Sequence, residues 1–145
     1  DYLPEDDEVE VVAQTTSHAP EAIQPLFSGE DVLRFQALVK SVPIAKDIIR
    51  YAVKLASASR PGQKDSPEFS QKYISWGAGL RGAQFLVLGA KVRALLQNRA
   101  HVVQEDIDAL AKPSLRHRIL INYRAEAENI TVDQLIDRLL ESLRD

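Results

Sequence analysis

The chain contains no cysteine and no methionine. Without cysteine there is no disulfide, no thiol nucleophile and no thiolate metal site, a composition that fits a reducing compartment. Without methionine the chain does not begin at its own start codon, and it reads as a piece of something longer, released by processing or excision. No stretch approaches the roughly 20 apolar residues needed to span a bilayer, and the acidic N-terminus lacks a signal-peptide layout. A soluble, cytoplasmic protein is expected. A net charge of −3 and a pI near 5.6 argue against broad binding to nucleic acid or anionic membrane, although a local basic patch is compatible with both.

Several catalytic patterns are missing as well. There is no G-x-x-x-x-G-K-[ST] and no acidic strand end for Mg²⁺, so these residues alone cannot cradle and hydrolyse a triphosphate. His18, His101 and His117 are dispersed without metal-ligand spacing, which leaves no metal centre to expect. Ser, His and Asp occur without a nucleophile elbow. Gly77-Ala78-Gly79-Leu80-Arg81-Gly82 formally satisfies G-x-G-x-x-G behind Tyr73-Ile74-Ser75-Trp76, which could serve as the strand. A dinucleotide fold needs further strands alternating with helices, and nothing beyond this point supplies more than one short β run.

What is present is helical. With 145 residues, 45% of them hydrophobic, one globular domain or a small domain with an added arm is expected. Pro4 and Glu5-Asp6-Asp7-Glu8, followed by Val9 and Val12, predict a short helix with an acidic first turn. Thr15 to Phe27, with Pro20 and Pro25, reads as a linker. Ser28-Gly29-Glu30-Asp31 resembles a capping box, and Val32, Phe35, Val39 and Val42 line one face of the helix behind it. After Pro43 a third helix, with Ile48, Ile49, Ala52, Val53 and Ala56 inward, runs to about Ser59. Arg60 to Ser75 reads as a second loop. A long apolar helix follows from Leu80 to about Gln97, with apolar coverage wide enough to suggest burial on most sides.

Gln104-Glu105-Asp106 opens a shorter helix that Pro113 is expected to end. Ile119-Leu120-Ile121 reads as a short strand, paired with His101-Val102-Val103. Thr131-Val132-Asp133-Gln134 is a capping box for a final helix with Val132, Leu135, Ile136, Leu139, Leu140 and Leu143 on one stripe. The count is six helices and very little strand.

The most informative residue is Arg81. It stands in the first turn of the long helix, where the dipole and free N–H groups carry partial positive charge and disfavour a cation unless an anion is near. Arg81, Phe85, Leu88, Val92 and Leu95 share one face, so Arg81 tops what reads as a core stripe. It is either a ligand contact or an ordinary surface arginine. The basic cluster Leu115-Arg116-His117-Arg118-Ile119 is likewise either a clamp on helix C-terminal carbonyls or an anion or subunit contact.

In their order, three of these motifs resemble the C-terminal part of a MoxR-family AAA+ ATPase. Gly77-Ala78-Gly79-Leu80-Arg81 resembles that family's Gly-Ala-Ser-Pro-Arg before a long Ala/Leu-rich helix. Asn98-Arg99-Ala100-His101-Val102-Val103-Gln104-Glu105-Asp106-Ile107 resembles Gly-Arg-x-x-Val-Thr-x-x-Asp-Val. Ser114-Leu115-Arg116-His117-Arg118 resembles Val-Leu-Arg-His-Arg. The segment Asp1-Tyr2-Leu3-Pro4 with the acidic helix is similar to the stretch leaving the ATPase core. Gly79 and Leu80 in place of Ser-Pro, and Val103 in place of Thr, should soften two helix starts by about 0.5–2 kcal/mol each.

The resemblance implies an all-α helical bundle of the AAA+ lid type with at most a minor two-stranded element. Residues 1–27 would be the acidic helix and linker leaving the core, and residues 28–145 the lid. It further implies that Arg81 is the sensor 2 arginine, reaching the γ-phosphate of ATP bound with Mg mainly by the core domain. The implied partners are that core, neighbouring protomers in a hexamer, and client proteins, including von Willebrand factor A-type proteins, handled by a chaperone. Nucleic acid and membrane insertion are not expected. A free-standing helical interaction module and the lid of another AAA+ clade are the competing readings.

Overall fold

The computed structural model describes residues 2–17, 24–64 and 66–144. His18, Pro20 and Asp1, which figure in the sequence reading, lie outside the described residues. The chain divides into two compact units, residues 1–33 and 34–145.

In the first unit, helix α1 (Glu5–Ser17) starts on the acidic turn Glu5-Asp6-Asp7-Glu8 and buries no residue. It is longer than expected and takes in Thr15, Thr16 and Ser17. Their hydroxyls donate back to the carbonyls of Val11, Val12 and Ala13 at 2.5–2.7 Å, so these residues extend the helix instead of leaving it. Helix α2 (Gly29–Ser41) opens on the expected box. The Asp31 N–H donates to Ser28 Oγ at 3.1 Å and the Ser28 N–H to Asp31 Oδ2 at 2.9 Å. The stripe assigned to this helix is largely uncovered, since Val32 and Phe35 are exposed and only Val42, just past its end, is fully buried.

The second unit takes in α2 from Arg34 onward and is otherwise built from α3 (Lys46–Ala58), α4 (Glu68–Tyr73), β1 (Ile74–Trp76), α5 (Leu80–Leu96), α6 (Gln104–Leu115), β2 (Leu120–Ile121), α7 (Tyr123–Ala127) and α8 (Val132–Glu141). Its core runs through Leu55, Leu86, Ile107, Leu115, Leu135, Ile136 and Leu139, each fully shielded from solvent. The fold class is all-α with one two-stranded antiparallel ribbon. Helix α5 lies against α6 at close range. A Cβ on Gly82 would stand 3.2 Å from Leu115 Cδ2, and one on Gly89 only 2.7 Å from Leu110 Cδ1, so small residues let the two helices approach.

Several expectations are corrected here. The described residues hold eight helices, not six, because α4 interrupts the presumed loop between Arg60 and Ser75 and α7 follows the second strand. The two short helices dock on one another. Asn122 caps α7 by accepting from the Ala125 N–H at 3.1 Å and donates Nδ2–H to the Lys72 carbonyl at 2.9 Å, while the Tyr73 hydroxyl donates to Glu128 at 2.7 Å. Neither helix is long enough to show a full period in sequence.

The strand partner also differs. β2 pairs antiparallel with β1, Ile74 facing Ile121 and Trp76 facing Leu120. His101-Val102-Val103 makes no ladder; its Val102 N–H instead donates to the Pro43 carbonyl at 3.3 Å. Pro113 does not end α6, which continues to Leu115. The proline deletes one donor in the last turn, and burial of Ser114 and Leu115 holds that turn in place.

On α3 the buried residues are Ala52, Leu55, Ala56 and Ala58, whereas Ile49 and Val53, assigned inward, are exposed. Helix α8 is as expected: Gln134 N–H donates to Thr131 Oγ1 at 3.2 Å, Thr131 N–H donates to Gln134 Oε1 at 2.9 Å, and Leu135, Ile136 and Leu139 are buried.

Candidate functional site

The loop before α5 is held by the end of α3. Ala78 donates its N–H to Ser59 Oγ at 2.8 Å and its carbonyl accepts from Arg60 Nε at 2.7 Å, so both polar groups of that peptide are tied down. Gly77 is required by close approach, since a Cβ there would stand 2.3 Å from the Ser59 carbonyl oxygen and 2.6 Å from Arg60 Cα. Ser59 is itself buried and donates to the Ala56 carbonyl at 2.7 Å. Ser59 and Arg60 were missed in the sequence, where nothing but their place at a helix end before Pro61-Gly62 singles them out.

Gly79 then opens α5 with extended backbone and no side-chain cap, as its replacement of a hydroxyl residue implies. Arg81, in the first turn, is exposed and has no hydrogen-bond or ion-pair partner among the described residues. It lines an open cleft of about 800 Å³ with Trp76, Gly79, His117, Arg118 and Leu120.

The stripe below Arg81 is not core. Phe85, Leu88 and Val92 are 46%, 40% and 39% exposed, and the buried residues of α5 are Gly82, Ala83, Leu86, Ala90 and Ala94. Because α5 is apolar on nearly every side, spacing alone could not choose its inward face; the short separation from α6 selects the small residues. Arg81 therefore heads an uncovered apolar shelf whose lower part, with Ile49 and Val53 of α3, bounds a second cavity of about 550 Å³.

The basic cluster after α6 divides its labour. Arg116 forms a two-point pair with Asp133 at the start of α8, Nε–Oδ1 2.9 Å and Nη2–Oδ2 2.6 Å, and so clamps two helices. Arg118 Nη1 donates to the Ser114 carbonyl and to His117 Nε2, and its guanidinium lies 4.8 Å from the centre of the Phe85 ring. His117 and Arg118 thus line the same cleft as Arg81.

The other end of α5 carries a different kind of arginine site. Asp106 is fully buried and accepts from Arg99 Nη1 at 2.8 Å, Arg93 Nη1 at 3.0 Å and the Val103 N–H at 3.0 Å. Arg99 beside it holds the Asp106 carboxyl below the usual carboxylate range, and the Val103 and Arg93 hydrogen bonds act in the same direction against the opposing effect of burial. Only half a capping box survives at α6, since Val103 offers no side-chain acceptor while Asp106 still receives its N–H. Asn98 takes the left-handed conformation, φ 53°, that lets the chain leave α5 and bring Arg99 back over Asp106. Arg99 and Asp106, the arginine and aspartate of the second sequence motif, are a structural lock.

Among the described residues no group of three or more His, Asp or Glu could hold a metal ion, and no helix is long and apolar enough to cross a membrane.

Comparison with known proteins places this geometry. Residues 68–139 match the AAA lid domain family. Over 98% of its length the chain is 25% identical to the chaperone MoxR1 of Mycobacterium tuberculosis, covering 37% of that protein. It is 26% identical to the uncharacterised protein YeaC of Bacillus subtilis over 95% of its length, covering 41% of that protein. A crystal structure of a candidate ATPase from Cytophaga hutchinsonii superposes with a TM-score of 0.76 and 34% identity, covering 97% of this chain and 43% of that one. The matched class is the AAA lid domain, and together these likenesses support a lid of the MoxR-like AAA+ type. It spans about two fifths of the length of these relatives.

Proposed function

We propose that this lid closes over ATP held by the core domain of its parent ATPase and supplies Arg81 as the sensor 2 arginine to the γ-phosphate. The observation that carries this reading is an exposed guanidinium with no partner among the described residues, placed where the helix dipole disfavours it, in a cleft lined by a second arginine, Arg118, and by none of the described carboxylates. Such a charge is of little use to the free domain and of most use once a polyphosphate arrives. The residues present fit the terminal phosphates and not the whole nucleotide, because no glycine-rich phosphate loop accompanies them. ATP and Mg are thus bound mainly by the core.

Residues 1–27 are the connection leaving that core and residues 28–145 the lid. The shelf of Phe85, Leu88 and Val92 beside Arg81 gives the core an apolar surface to close against. Through that closure the nucleotide state passes to neighbouring protomers of a hexameric ring, which acts in the cytoplasm as a chaperone or remodelling machine on clients that include von Willebrand factor A-type proteins. The curated relative described as a chaperone supports the last step.

The test is Arg81→Ala in the intact parent protein. Steady-state ATP turnover is expected to fall by on the order of 10- to 1,000-fold, as for other lost charge-stabilising contacts. Unchanged turnover in a folded variant would show that Arg81 does not reach the phosphate.

A further inference from the structure

We propose that Arg118, set by His117, is a second phosphate contact of the lid, so that the Arg81 cleft grips a polyphosphate between two arginines. This rests on the reading of Arg81 as the ligand-facing cation. Arg118 comes from the segment after α6, packs on Phe85 one turn along α5 from Arg81, and lines the same cleft.

The first argument is the hydrogen-bond inventory of Arg118. Both of its hydrogen bonds, to the Ser114 carbonyl and to His117, leave from Nη1. Nε and Nη2 have no partner among the described residues, and a guanidinium presents its donors as a planar fork suited to phosphate oxygens.

The second is charge. Arg50, Arg93, Arg99, Arg116, Arg124 and Arg144 each pair with a carboxylate. Among the described residues Arg81 and Arg118 have no carboxylate partner, and no described Asp or Glu lines the cleft they share. Two unneutralised arginines facing one opening in a chain of net charge −3 repel each other unless an anion lies between them.

The third is preorganisation. Arg118 is half-buried and held against the Phe85 ring at 4.8 Å, so little side-chain freedom is lost when a ligand arrives. His117 Nε2 lies against Arg118 Nη1, which is the donor of the pair because an arginine is never an acceptor. His117 is accordingly a positioning residue that fixes the Arg118 fork and lines the cleft.

Trp76, the single tryptophan of the chain, lines the same cleft and reports on it directly. The experiment titrates the 145-residue chain with pyrophosphate at constant ionic strength, following Trp76 fluorescence. Saturable binding below about 10 mM is expected, with Arg81→Ala and Arg118→Gln each weakening it by about tenfold, Arg118→Lys recovering part of the loss, and His117→Ala weakening it by about threefold. Melting curves check that each variant is folded; if Arg118→Gln is not, Arg118→Lys against wild type carries the comparison, and equal affinity for both would remove the need for a fork.

If Arg81→Ala weakens binding while Arg118→Gln binds as wild type does, the second contact is wrong and the reading of Arg81 stands. Loss in Arg118→Gln alone would instead leave Arg81 outside the site and end the two-arginine grip. No saturable response in the wild-type chain overturns the proposal for the lid on its own.

Discussion

The two ends of α5 hold the same side chain in opposite conditions. Arg93, in the last turn, lies where the helix dipole favours a cation, and it shares with Arg99 a carboxylate that is sealed from water. Arg81, in the first turn, lies where the dipole disfavours one and meets no carboxylate among the described residues. A guanidinium is structural where the fold closes a counter-charge on it and free for a ligand where the fold leaves it open. Residue type does not separate the two cases; the neighbours brought in by α6 and the segment after it do.

The sharpest way to break the comparison is Asp106→Ala. It removes the acceptor of two arginines and of the Val103 N–H, and breaking a buried ion pair from one side should cost about 3 kcal/mol after allowance for the partly exposed arginines, which regain water. A fall in melting temperature on the order of 10 °C is expected. A loss below about 1 kcal/mol would mean that the lock is ornamental. Arg99→Ala should be milder, because Arg93 and the Val103 N–H continue to satisfy the carboxylate.

Acid sharpens the same point with a definite sign. The folded-state pKa of Asp106 lies below its ordinary value of 3.8, with the Arg99 hydrogen bond as the main cause, so the folded state binds its proton less readily than the unfolded chain does. Its contribution to stability is complete well above pH 3.8 and is lost as pH falls through the folded pKa beneath that value. Urea melts between pH 6 and about pH 2.5 should show this loss in the wild type and a flatter slope in Asp106→Asn. Identical slopes would place the acid sensitivity elsewhere.

The smallest effect is expected at the open end. Arg81→Ala in this chain should move the melting temperature by no more than about 2 °C, since a surface residue without partners contributes little. A large drop would make the two ends of α5 alike and return Arg81 to a structural role.

Much of this was legible before any coordinates. The helical class follows from periodicity, the caps at Ser28 and Thr131 from residue type, and the place of Arg81 in the first turn of a long helix from the glycine-rich turn before it, because each depends on chemistry within a few residues along the chain. Short elements without a full period, α4 and α7, were not legible, nor was the continuation of α6 past Pro113, where burial outweighs a local preference.

The sequence by itself determined that the chain is helical, that its long helix begins at a glycine-rich turn with an arginine behind it, and that a basic cluster follows the next helix. Only the tertiary structure decided which face of α5 is inward, that β2 pairs with Ile74–Trp76 and not with His101–Val103, and that Arg118 and His117 share a cleft with Arg81 while Arg99 is locked on Asp106. The physical reason is range. Caps and helical periods arise from neighbours one to four positions apart, whereas the inward face of an all-apolar helix and the pairing of distant charges are set by which other elements pack beside it, information carried by no single segment.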